Sequence, residues 1–136
     1  MSGYDPNLVA EFYVLSCLHS IGLTGNLTLG NKKGIDIVVA RKAGHAVTNE
    51  VEGTAKKYDW VINNLTSLNP ERHFVVLVSY EDHIGHPAMP APRLWVLPFP
   101  DVEPFRRTYK GNMQALSRAQ MLRDGKKYEN AWSLIE

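Results

Sequence analysis

Asp36 is followed fourteen residues later by Glu50 and two further on by Glu52. Ile35, Ile37 and Val39 alternate with Asp36, Val38 and Ala40, and Val47, Asn49 and Val51 alternate with Thr48, Glu50 and Glu52. Such alternation predicts two strands, with Lys42-Ala43-Gly44 at the tip of the hairpin joining them. Side chains two apart on a strand share a face, so Glu50 and Glu52 point the same way. A register that puts the even-numbered positions of both strands on one face adds Asp36. Like charges gathered so closely raise one another's pKa unless a cation sits among them, and the chemistry they suggest is metal binding. The plainer alternative is the solvated polar face of an antiparallel hairpin.

A fourth carboxylate comes from a helix. Asp5-Pro6 reads as an N-cap followed by proline at the first helical position, and residues 7–21 carry Leu8, Phe12, Leu15 and Leu18 at helical spacing before Gly22. Glu11 falls within that stripe. A core-facing carboxylate is costly to desolvate without a metal or a positive partner; a glutamate at the stripe's edge would reach water instead.

Glu11 in Ala10-Glu11-Phe12-Tyr13, a strand over residues 23–29, Gly34-Ile35-Asp36 and then Glu50-Val51-Glu52-Gly53-Thr54 follow in an order that resembles the core of the PD-(D/E)XK nuclease superfamily. The resemblance spans residues 10–79 and rests on order and spacing. It implies a restriction-endonuclease-like fold, an α/β domain with a mixed β-sheet flanked by helices, and metal-dependent hydrolysis of DNA phosphodiester bonds. By position, Asp36 and Glu50 match the ligands of Mg²⁺ or Mn²⁺, and Glu11 matches a helix glutamate that many members use. Glu52 stands where the family carries its catalytic lysine, and so becomes an extra metal ligand or a general base. Lys56 and Lys57 are candidates for a relocated cation. The competing expectation is a catalytically inactive nuclease-fold domain retained as a nucleic-acid- or protein-binding module.

At 136 residues and 44% hydrophobic, the chain is long enough for one domain, residues 1–136, with a substantial core. No stretch is long and apolar enough to span a bilayer. A charged-then-apolar leader is lacking and the lone Cys17 suits a packed thiol, so a cytoplasmic setting is expected. The net charge of +1 excludes nothing, and distribution matters more. Lys32, Lys33, Lys56 and Lys57 are the candidate nucleic-acid contacts, with further basic residues at Arg106, Arg107 and Lys110 and beyond Arg118. A zinc site at Asp82, His83 and His86 is disfavoured because no further ligand lies at a suitable spacing.

Tyr58, Val61, Ile62 and Leu65 are helically spaced, with Lys56 and Lys57 at the start of that helix. The continuous run Phe74 to Val78 suits a central strand buried on both faces, residues 80–92 a long loop, and Arg93 to Leu97 an edge strand stopped by Pro98 and Pro100. Asp101 is placed to cap a short helix through Phe105. Residues 112–136 read as two helices, one patterned by Met113, Leu116, Gln120 and Met121-Leu122, the other by Tyr128, Trp132 and Ile135. The methionine-bearing face suits core packing or a homodimer surface.

Overall fold

A computed structural model describes residues 3–28, 35–62, 65–67 and 69–136. Helix α1 (Pro6–Ser20) begins where expected, its Asp5 carboxylate accepting the amide N–H groups of Asn7 and Leu8 at 3.0 and 3.2 Å. Strands β1 (Thr24–Leu27), β2 (Ile37–Ala40) and β3 (Ala46–Thr54) form an antiparallel meander. Strand β5 (His73–Ser79) then pairs parallel to β3, and β6 (Arg93–Pro98) antiparallel to β5, giving a mixed sheet in the order β1-β2-β3-β5-β6. A second, antiparallel sheet is built from β4 (Trp60–Val61), β7 (Arg106–Thr108) and β8 (Gln114–Leu116) in the order β4-β8-β7. This is the expected α/β class with a mixed sheet. Every residue of β5 is buried, and β6 is the sheet's edge, both as the sequence implied.

The five-stranded sheet has a core on each face. Ala10, Val14 and Leu18 of α1 pack on Ile37, Val39, Val47, Val51, Val76 and Val78. The opposite face meets the small sheet and helix α2 (Arg118–Asp124), with Val75, Leu77 and Trp95 against Trp60, Leu116 and Met121. Trp60 and Trp95 meet edge to face at 5.5 Å, and the Trp60 indole N–H donates to the Val78 carbonyl at 3.1 Å.

Five local expectations are overturned. The buried stripe of α1 is Ala10, Val14 and Leu18, while Leu8 and Phe12 are 48% and 55% exposed. Apolar residues surround this helix, so periodicity leaves the choice of face open, and close approach to Gly53 selects the side bearing the small Ala10. A Cβ built on Gly53 would lie 2.5 Å from the Pro6 carbonyl oxygen and 2.7 Å from the Ala10 Cβ. The segment after β3 is not a helix: Trp60 is buried, Val61 exposed and Ile62 buried, a two-residue period that serves β4. Lys56 and Lys57 therefore lie in the exposed turn leaving β3.

Asp101 sits inside a 3₁₀ helix (Phe99–Phe105) rather than capping it, and accepts the Tyr128 hydroxyl at 2.9 Å. Of the first predicted C-terminal helix only α2 forms, capped by Ser117, because Gln114 to Leu116 pair as a strand with β4 and β7. The second is replaced by two 3₁₀ turns (Lys126–Tyr128 and Trp132–Leu134).

Candidate functional site

The candidate residues meet where β2 and β3 part. Strand β2 pairs with only the first half of β3, its last partner being Ile37 opposite Asn49, and the Asp36 amide closes the ladder by donating to the Asn49 carbonyl at 2.8 Å. That register sets the even-numbered positions of the two strands on one face, with Asp36 next in line opposite Glu50. Past this point, among the described residues, the amides of Val51 and Gly53 have no strand on the β2 side, and buried backbone donors require acceptors. Side chains supply them: Asp36 Oδ2 accepts Val51 N–H at 2.7 Å, and Asn7 Oδ1 in the first turn of α1 accepts Gly53 N–H at 2.9 Å. The fork is thus held open by one residue from β2's approach and one from the helix.

Glu50 and Glu52 project from the half of β3 that β2 does not reach, opposite Val75 and Leu77 of β5. Glu50 is 7% exposed, and Asp36, Glu52 and Glu11 are half-buried. Burial pushes the carboxyl groups of Glu50 and Glu52 well above the ordinary range. The two side chains hydrogen-bond to each other, and the Asp36 charge raises both further. Burial, followed by the charges of Asp36 and then Asp5, raises Glu11 to about 7. Asp36 is also raised by burial, with the Val51 amide acting the other way. Glu11 lies on the flank of the α1 stripe rather than within it, yet close enough for its charge and that of Asp36 to interact. All four predicted carboxylates therefore belong to one acidic cluster.

The donor set, hard carboxylate oxygens held out of water and repelling one another, suits a divalent cation of the Mg²⁺ class. Among the described residues no three His, Cys, Asp or Glu side chains stand arranged as a ready metal cage. The hydrogen bonds explain this. Asp36 is turned onto the Val51 amide, and Glu50 and Glu52 interact with each other.

Lys56 lines a cavity of about 680 Å³ that opens beside Glu52, and Lys57 is exposed next to it. Lys32 and Lys33 lie outside the described residues. Asn7 was missed by the sequence reading, which used it only as the start of a helix. Asp59 was missed too; its carboxylate accepts the Tyr109 hydroxyl at 2.6 Å and the Arg118 amide at 2.8 Å, tying the small sheet to the cavity wall. A polar residue between Tyr58 and Trp60 carries no signal of so distant a partner.

No protein-family model matches the chain, and no curated protein sequence matches it. Among solved structures, a bacterial homing endonuclease, I-Ssp6803I, superposes with a TM-score of 0.52 over 95% of this chain and 88% of its own, at 16% sequence identity. At that identity the likeness is one of fold, and it is to a nuclease fold that this α/β chain, with its carboxylates gathered at the strand fork, is similar.

Proposed function

We propose that the protein is a divalent-metal-dependent nuclease acting on DNA. The observation that carries this reading is the convergence of Asp36, Glu50, Glu52 and Glu11 at the fork, a costly concentration of negative charge, in a fold similar to that of a homing endonuclease. Asp36 and Glu50 would hold Mg²⁺ or Mn²⁺, with Glu52 as a further ligand and Glu11 acting directly or through water. A bound ion would supply Lewis-acid polarisation of the scissile phosphate and a more acidic water.

The chain's own groups do the rest. Asp36 is oriented by the Val51 amide, and Asn7 fixes the helix against β3 so that Glu11 stays beside Asp36. Ionised Glu52 can accept a proton from an attacking water, a general-base contribution of about 10²–10⁴ in rate. Lys56, on the wall of the adjoining cavity, would contact a phosphate.

The test is cleavage of plasmid and of single-stranded DNA by purified protein with Mg²⁺ or Mn²⁺, against Asp36→Asn. Metal-dependent cleavage lost in the variant is the expected result, and equal signals from both proteins would show a contaminant. A second reading, a binding module without hydrolysis, is favoured by Glu52 at the position that the superfamily resemblance gives to lysine. Under it the wild type binds DNA without cutting it, and Glu52→Lys gains cleavage.

A further inference from the structure

The cavity of about 680 Å³ beside Glu52 is within the usual size range of ligand sites, roughly 300–1,000 Å³. Glu52 is part of its lining, and the rest comes from Pro6 and Asn7 in the first turn of α1, the end of β3, the turn that follows it and the small sheet. Its walls present apolar and aromatic side chains to solvent: Tyr58 is 65% exposed, Val61 49%, Tyr109 41% and Met113 40%. Exposed apolar groups collected around a concave site signal a ligand rather than random surface.

One of the two rings is held in place. The Tyr109 hydroxyl donates to Asp59, whose other carboxylate oxygen accepts the Arg118 amide, so Tyr109 is fixed before any ligand arrives. These bonds also occupy Asp59, leaving Glu52 as the acidic group that faces the cavity. Basic groups stand beside the two carboxylates: Lys56 lines the cavity, Lys57 follows in the exposed turn, and Arg107 is near enough to Tyr109 to act on its hydroxyl.

Flat apolar faces, neighbouring basic groups and direct continuity with a carboxylate cluster fit one kind of occupant. We infer that this cavity receives an unpaired nucleobase, stacked on Tyr58 and Tyr109, so that the substrate class is single-stranded or locally unpaired nucleic acid rather than intact duplex. The inference rests on the nuclease reading above and narrows it. A paired base is already stacked within the helix and cannot enter a concave site without being extruded, whereas an unpaired base offers its face at little cost. With a base lodged there, the adjoining backbone phosphate passes Glu52 while Lys56 and Lys57 face its neighbours.

The test compares binding of the full-length protein, with Ca²⁺ present, to a single-stranded oligonucleotide carrying 2-aminopurine and to the same strand fully paired. The single strand should bind at least tenfold more tightly, with a change in 2-aminopurine emission as the base stacks. Tyr58→Ala, at an exposed site where folding is not at risk, should lose about tenfold in single-strand affinity, the scale of one base–aromatic stack, together with the emission change. Tyr109→Phe keeps the ring and should retain most of the affinity. Equal affinity for both forms, or a single-strand preference that Tyr58→Ala leaves intact, overturns the cavity assignment while leaving nucleic-acid binding standing. Failure to bind either oligonucleotide overturns both.

Discussion

The Asp36 carboxylate accepts the Val51 amide at 2.7 Å, across the gap where β2 stops and β3 continues. One side chain thereby satisfies a backbone donor that lost its strand partner and places a carboxylate beside Glu50. Removing it has two consequences, one for the fold and one for the charge cluster, and they have opposite signs.

Asp36→Asn keeps an acceptor for the Val51 amide while deleting one negative charge, so the metal-free variant should fold at least as stably as the wild type. Mg²⁺ or Mn²⁺ at saturating concentration should raise the wild-type melting temperature by several degrees, since a ligand at a hundred times its Kd stabilises by about 2.7 kcal/mol. The variant should lose most of that gain. Scanning calorimetry with and without metal decides it, and an unchanged wild-type transition at millimolar metal counts against the site.

The acidic cluster should make the metal-free protein less stable as pH rises. The Glu50 and Glu52 carboxyl groups are raised above their unfolded value of 4.5, and Glu11 to about 7, so from pH 4.5 upward the folded protein retains protons that the unfolded chain has released. Stability contributed by protonation is complete below 4.5 and is lost progressively as pH climbs through about 7, for Glu11 and Glu50, and about 9, for Glu52. Glu52→Gln imitates the protonated form and should stabilise the metal-free protein at pH 8 by at least about 1 kcal/mol, the worth of one pKa unit, with no gain at pH 4.5. Urea denaturation at the two pH values measures the difference.

His73 should produce the opposite trend on the acid side. Burial lowers its pKa to about 4, with a hydrogen bond to Thr48 acting against the shift. The unfolded imidazole gains its proton at about 6.5 while the folded one does not, so stability falls as pH drops from 6.5 to about 4, by about 3 kcal/mol in total. His73→Phe should abolish this share of the acid sensitivity, at a cost of about 1 kcal/mol for the lost Thr48 contact. A pH series of denaturation midpoints for both proteins provides the check.

Gly53→Ala should destabilise the protein by about 1–3 kcal/mol and weaken its response to metal. The new methyl would fall within 2.5–2.7 Å of the Pro6 carbonyl and the Ala10 Cβ, neither of which can swing aside, so the first turns of α1 must move. Asn7 and Glu11 move with them. A stable, fully metal-responsive Gly53→Ala protein would contradict the close packing of helix on strand.

Local signals in the sequence determined the α1 cap, the β2–β3 hairpin, the doubly buried β5 and the common face of Glu50 and Glu52, because each depends on a period or a turn read over a few residues; the register that brings Asp36 to that face was set by the pairing of β2 with β3. The same local reading erred where the deciding contact is distant. It placed a helix over Tyr58 to Leu65, whereas Trp60 instead reaches across to Val78 and Trp95 and its neighbours pair with β8. It chose Leu8 and Phe12 as the buried side of α1, a choice that only the missing side chain at Gly53 reverses. That Glu50 and Glu52 lie side by side was legible from strand parity. That Asp36 and Asn7 take over the amides of the half of β3 that β2 does not reach, and that a cavity walled by Tyr58 and Tyr109 opens beside Glu52, was decided by the tertiary structure, since backbone satisfaction and concavity involve residues dozens of positions apart.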